Sequence, residues 1–90
     1  MFALDLAHVD ITDAELSQLS RFKYLQVLDL DNTPVTGVGF KDLFGMTHLR
    51  SLLLNGTRMT NAGMKQLARF TQLQQLDLRA AIFVKLASVI

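Results

Sequence analysis

The feature that most restricts what this chain can fold into is a 24-residue period that runs through it without an insertion. Leucine falls at Leu4, Leu28, Leu52 and Leu76, and again two places on at Leu6, Leu30, Leu54 and Leu78. The same register carries Ile11, Val35 and Met59, then Thr12, Thr36 and Thr60, then Leu16, Phe40 and Met64. It continues through Leu19, Leu43 and Leu67, through Phe22, Met46 and Phe70, and through Leu25, Leu49 and Leu73. Columns of one chemical type at a fixed spacing mark a repeat array, in which each period is one supersecondary unit.

Within a period the apolar spacing changes. Leu28-Asp29-Leu30 alternates, as a strand does, whereas Phe40, Leu43 and Met46 are spaced by three, as on one face of a helix or a 3₁₀ turn. Thr12-Asp13-Ala14-Glu15 reads as a capping box that opens the helical half. Thr36 and Thr60 stand where they can cap the equivalent helices, with Gly39 and Gly63 in place of the glutamate. Each unit is therefore a short strand, a turn and a short helix. One such unit is too small to bury its own apolar face, so its neighbours must shelter it. Strands that return through a helical crossover lie parallel.

At this point the residues resemble the leucine-rich repeat family. Leu25-Gln26-Val27-Leu28-Asp29-Leu30-Asp31-Asn32-Thr33-Pro34-Val35 follows its L-x-x-L-x-L-x-x-N/C-x-L signature, as does the run from Leu49 to Met59, with Thr33 and Thr57 in place of the usual Asn or Cys. Gly56-Thr57-Arg58-Met59-Thr60-Asn61-Ala62-Gly63-Met64 is similar to a variant common in bacterial repeat proteins. The resemblance implies an α/β fold, a leucine-rich-repeat solenoid. This is a right-handed β/α superhelix of three to four repeats with a parallel sheet on its concave face. It also implies a role in protein interaction. The absence of polar capping units at the ends points to a fragment of a longer repeat protein, or to open ends that pair with something. The solenoid is expected over residues 1–79, with units starting near 4, 28, 52 and 76, followed by an out-of-register apolar tail at 80–90. For that tail three readings stand open: a cap on the array, a point where a longer frame was cut or shifted, or a sticky partner-binding segment. The ends lack polar capping units, which predicts self-association through Leu4, Leu6 and Phe22 at one side and the tail at the other.

Composition narrows the function classes. Half the residues are hydrophobic and the net charge is +1, which gives no global case for nucleic acid or an anionic membrane. There is no cysteine, hence no disulfide framework or thiolate site. The start lacks a signal peptide and no run approaches a membrane span, so the compartment stays open with a slight lean to the cytoplasm.

The positions that alternate with the core leucines are expected on the concave face. They are Ala3, Asp5 and Ala7, then Val27, Asp29 and Asp31, then Ser51, Leu53 and Asn55, then Gln75, Asp77 and Arg79. Asp5, Asp29, Asp31 and Asp77 are half of the chain's eight acids, and among these positions Arg79 alone opposes them. A ligand-binding surface is placed on Asp5, Asp29, Asp31, Leu53, Asn55, Asp77 and Arg79. It would suit a basic protein or peptide, with Leu53 as an apolar anchor. The competing reading is that Asp is the ordinary surface choice beside a core leucine. Thr33 and Thr57 are expected to bond turn backbone between adjacent repeats. His8 and His48 show no metal-ligand spacing, and Gly37-Val38-Gly39 lacks the third glycine of a dinucleotide fingerprint. Asn55-Gly56-Thr57 is a formal glycosylation sequon, but it lies at an expected strand end inside the repeat core. The bases Arg21, Lys23, Lys41, Arg50, Arg58, Lys65 and Arg69 read as a solvated outer face without an aromatic platform. No catalytic residue, metal or cofactor is expected. The chain reads as a non-enzymatic interaction scaffold, or alternatively as spacer repeats of a larger protein whose functional module lies elsewhere.

Overall fold

The structure of the protein, a computed structural model, describes residues 2–79. The expected tail at 80–90 lies outside the described residues. The order of elements is β1 (Ala3–Asp5), a 3₁₀ helix (Asp13–Arg21), β2 (Val27–Asp29), a second 3₁₀ helix (Val38–Leu43), β3 (Ser51–Leu53), α1 (Asn61–Leu67) and β4 (Gln75–Asp77). The strands form one parallel sheet in the order β1-β2-β3-β4. Its register sets Leu4 beside Leu28, Leu28 beside Leu52 and Leu52 beside Leu76, so the period of the sequence is the register of the sheet.

Each strand is only three residues long, but the ladder runs on at both ends, and it does so identically at every junction. Before the strands, the N–H groups of Gln26, Arg50 and Gln74 donate to the carbonyls of Phe2, Gln26 and Arg50 at 2.7, 2.8 and 2.7 Å. After them, the N–H groups of Leu6, Leu30 and Leu54 donate to Asp29, Leu53 and Asp77, each at 2.8 Å. Two places beyond, the backbone turns away through left-handed residues that share a column: His8 at φ 65°, Asn32 at 57° and Gly56 at 71°. Gly56 is needed twice over, for its φ and because a Cβ there would run into the side-chain carbonyl of Asn32.

The spacing of three matches the three residues per turn of a 3₁₀ helix, and two of the three helices among the described residues take that form. In the first helix, Ser20 Oγ donates to the Ser17 carbonyl at 2.7 Å and Arg21 Nε to that of Gln18, side-chain bonds that compete with the α ladder. The second contains Val38 and Gly39, both weak helix formers. The third, rich in Ala, Met, Lys, Gln and Leu, closes into α1.

Two local expectations are corrected. Thr60 does cap its helix, accepting from Gly63 N at 3.1 Å, but Thr36 does not: Gly37, left-handed at φ 95°, takes that place. Thr33 and Thr57 do not bridge repeats. Each buried hydroxyl donates at 2.7 Å to a carbonyl three residues back in its own unit, Leu30 or Leu54, and so closes the turn after the strand. In the first unit, the Glu15 carboxylate accepts from the Thr12 N–H at 3.1 Å, as the capping-box reading requires.

Burial follows neighbour contact. In the second unit Leu28, Leu30, Val35, Phe40, Leu43, Met46 and Leu49 are fully enclosed, because units pack on both sides. At the outer edges Leu4, Leu6 and Phe22 are only half-buried against the core, and Leu76 is 39% exposed.

Candidate binding surface

Because side chains alternate across a strand, the residues flanking the buried leucines form rows on the other face of the sheet. One row is Ala3, Val27, Ser51 and Gln75, in which Ser51 Oγ bonds Gln75 Oε1 at 3.3 Å. The next is Asp5, Asp29, Leu53 and Asp77, all in direct register. The ladder beyond it aligns Asp31 with Asn55 and Asn55 with Arg79: Asn32 N donates to the Asn55 carbonyl at 2.7 Å and Gly56 N to that of Arg79 at 3.2 Å. Of the seven site residues read from the sequence, Asp5, Asp29, Leu53 and Asp77 thus share one row of the sheet, and Asp31, Asn55 and Arg79 stand in the turns that follow it.

The acids of this face have structural duties as well. Asp5 Oδ1 accepts from Ala7 N at 2.9 Å, and Asp29 Oδ1 from Asp31 N at 3.0 Å, the side-chain-to-backbone turn that Asp favours. The third unit has Leu53 at this position and no such acceptor. There Asp31 reaches across from the preceding unit, and its Oδ1 takes the Asn55 N–H at 2.8 Å. The apolar gap in the acidic row and the cross-unit bond are two sides of one substitution. At the far edge Arg79 Nη2 pairs with Asp77 Oδ2 at 3.5 Å in an exposed contact. Burial pushes the half-buried Asp29 carboxyl above its ordinary value; the Asp31 N–H works against this, and the charges of Asp31 and Asp5 add to it. Holding three carboxylates this close is a cost that a cationic ligand would relieve.

A shallow depression of about 320 Å³ adjoins this face, lined by Asp10, Asn32, Thr33, Pro34, Gly56 and Arg58. It sits beside the turns that follow the strands, with Asp10 and Arg58 contributing opposite charges. The described residues bring no group of three or more His, Asp or Glu together in a metal-binding arrangement, and contain no helix long and apolar enough to cross a membrane.

Known protein-family models give no match to this sequence, and the curated proteins give none. Among solved structures, an internalin (inlF) from Listeria monocytogenes is similar, with a TM-score of 0.54 and 22% identity over 93% of this chain. The fold is leucine-rich-repeat-like. The chain spans 30% of that internalin's length.

Within these leucine-rich-repeat-like units the structure adds two groupings that sequence reasoning missed. Asp13, passed over as a helix-start residue, sends its carboxylate into the next unit. There it accepts from Thr36 N (2.6 Å), Thr36 Oγ1 (3.0 Å), Gly37 N (3.0 Å) and Gly39 N (2.9 Å). Tyr24 and His48 pack ring against ring at 5.1 Å on the opposite edge of the sheet. An aromatic pair therefore does stand among the outer bases, against the sequence-based expectation of none. The signal was available, since positions 24 and 48 share a column and the register makes column neighbours touch.

Proposed function

We propose that the chain is a non-catalytic interaction scaffold whose strand face receives a basic peptide or protein segment. Its units would belong to a right-handed solenoid with that face concave. The observation that carries the reading is the in-register row Asp5, Asp29, Leu53, Asp77, a single apolar residue set between acids on a surface of backbone-bonded strands. A face built on a sheet loses little conformational entropy when a ligand docks. Leu53 supplies the anchor contact, while Asp29 and Asp77 select positive charge at its flanks.

The test is a panel of short peptides of graded charge, measured by fluorescence anisotropy against the wild-type chain, L53E and D77K. Peptides combining an apolar residue with Lys or Arg are expected to bind, with L53E weakening them about tenfold and D77K less. Equal binding by all three chains rejects the strand-face site.

A second reading is favoured by one observation. Asp5 and Asp29 each accept a backbone N–H in their own turn and Asp31 accepts one from the next unit, so their presence is accounted for by backbone hydrogen bonding without a ligand. On that view these units are spacers within a larger protein, and the peptide panel returns no binder on this face.

A further inference from the structure

The charges of this molecule are sorted by edge. The segments that lead into the strands, residues 21–26 (from the last residue of the first 3₁₀ helix), 45–50 and 69–74, hold four of the chain's nine bases (Arg21, Lys23, Arg50 and Arg69) and none of its eight acids. The sheet register stacks these loops side by side, so the four cations share one edge while the chain as a whole is nearly neutral. No ion pair neutralises them among the described residues. Three are instead held in place by uncharged partners. Arg50 Nη1 donates to the Thr47 carbonyl at 2.8 Å, Arg21 lies 5.8 Å from the Phe22 ring centre, and Arg69 lies 4.9 Å from that of Phe44. Such anchoring orders the long side chains and leaves their charge unspent. The exposed Tyr24–His48 pair stands in these loops, and Phe2, whose carbonyl takes the Gln26 and Val27 N–H groups, lies beside the first of them; Tyr24 and Phe2 are each 68% exposed.

We propose that this edge is a second interaction surface, which docks a short acidic peptide segment carrying an aromatic or aliphatic side chain. Charge complementarity selects the acidic residues, and Tyr24, packed at a tilt against His48, receives the apolar one. The extent of the positive field argues for a short segment over a long polyanion. Gln26 and Asp29 are three residues apart along a strand, about 10 Å, close to the screening length of about 8 Å in physiological salt. A nucleic-acid strand leaving this edge toward the sheet would meet the carboxylates of Asp29 and Asp5. This surface is independent of the strand-face reading, which concerns the opposite charge and different residues.

The experiment titrates the full chain into a labelled acidic peptide of about eight residues containing one Phe, and into an oligothymidylate of equal charge, at low and physiological salt. The variants are K23E and Y24S, both at exposed residues outside the core, and K65E is the control on the exposed side of α1. Circular dichroism verifies that all fold alike. Peptide binding that K23E and Y24S each weaken, by about tenfold for the charge reversal, and that K65E leaves unchanged is the expected result. Peptide binding indifferent to K23E and Y24S overturns the proposal. So does tighter binding of the oligothymidylate through the same residues, which would make the edge a polyanion site. Low-salt self-association abolished by K23E also overturns it, because the occupant would then be the acidic face of a second copy.

Discussion

The junction between the first and second units and the junction between the second and third are built on the same strand ladder, yet their helical halves are joined by different means. At the first junction a side chain does the joining: the Asp13 carboxylate accepts four hydrogen bonds from Thr36, Gly37 and Gly39. At the second, the column of Asp13 is occupied by Gly37 and no carboxylate is present. Backbone meets backbone instead, with Arg58 N donating to the Val35 carbonyl and Thr60 N to that of Thr36, both at 3.1 Å. A Cβ on Gly63 would strike the Thr36 carbonyl and lie 2.8 Å from Gly37 Cα; a Cβ on Gly39 would lie 2.6 Å from the Asp13 carbonyl. Both glycines permit close approach, but each admits a different neighbour. Strand halves stay uniform because every residue carries the same backbone donor and acceptor. Helical halves diverge because their contacts depend on which side chain occupies each column.

The comparison can be broken most severely at the second junction. Gly63→Ala forces the Thr36–Gly37 backbone away from α1, and no flexible side-chain end is there to give way. A loss of about 3–4 kcal/mol is expected, read as a collapse of the urea midpoint. Asp13→Ala tests the first junction. It strands three backbone N–H groups and a hydroxyl, and about 3 kcal/mol should be lost. Asp13→Asn sharpens the test: one Asn oxygen cannot replace two carboxylate oxygens, and its amide would face the N–H groups of Gly37 and Gly39. It should therefore recover little of the loss. Recovery to near wild type would show that the clamp rests on a single bond.

Thr60→Ala removes the one side-chain N-cap of α1 and should cost about 1 kcal/mol, with loss of helical ellipticity confined to the third unit. The smallest effect belongs to the strand face and has the opposite sign. The folded Asp29 carboxyl is raised above its ordinary value, so its contribution is favourable below that value and is lost as pH rises through the folded value. At neutral pH the charge is a cost. Asp29→Asn keeps an oxygen to accept the Asp31 N–H and should raise stability by up to about 0.5 kcal/mol at pH 7. The gain should vanish on acidification; a gain that persists at low pH would place its origin elsewhere than in the charge.

Much of this fold was legible beforehand because burial and backbone pairing obey a period. The row Leu4, Leu28, Leu52, Leu76 follows from spacing alone, as does the placement of Asp5, Asp29, Leu53 and Asp77 on one face. What stayed hidden were bonds that skip a column or depend on a neighbour's deficiency. Thr36 looked like a cap by analogy with Thr60, but Asp13 had already claimed its hydroxyl and N–H. Asp31 reads in the sequence as one of the ligand-binding acids, but Leu53 leaves the Asn55 N–H without a local acceptor and Asp31 supplies one.

The amino-acid order by itself determined the repeat length, the parallel register and the buried leucine rows, since apolar burial depends only on which positions recur. Only the tertiary structure decided which carboxylates are engaged with backbone and which of their bonds cross from one unit to the next. Those outcomes depend on the direction each side chain takes and on the donors left unsatisfied beside it, and a period contains neither.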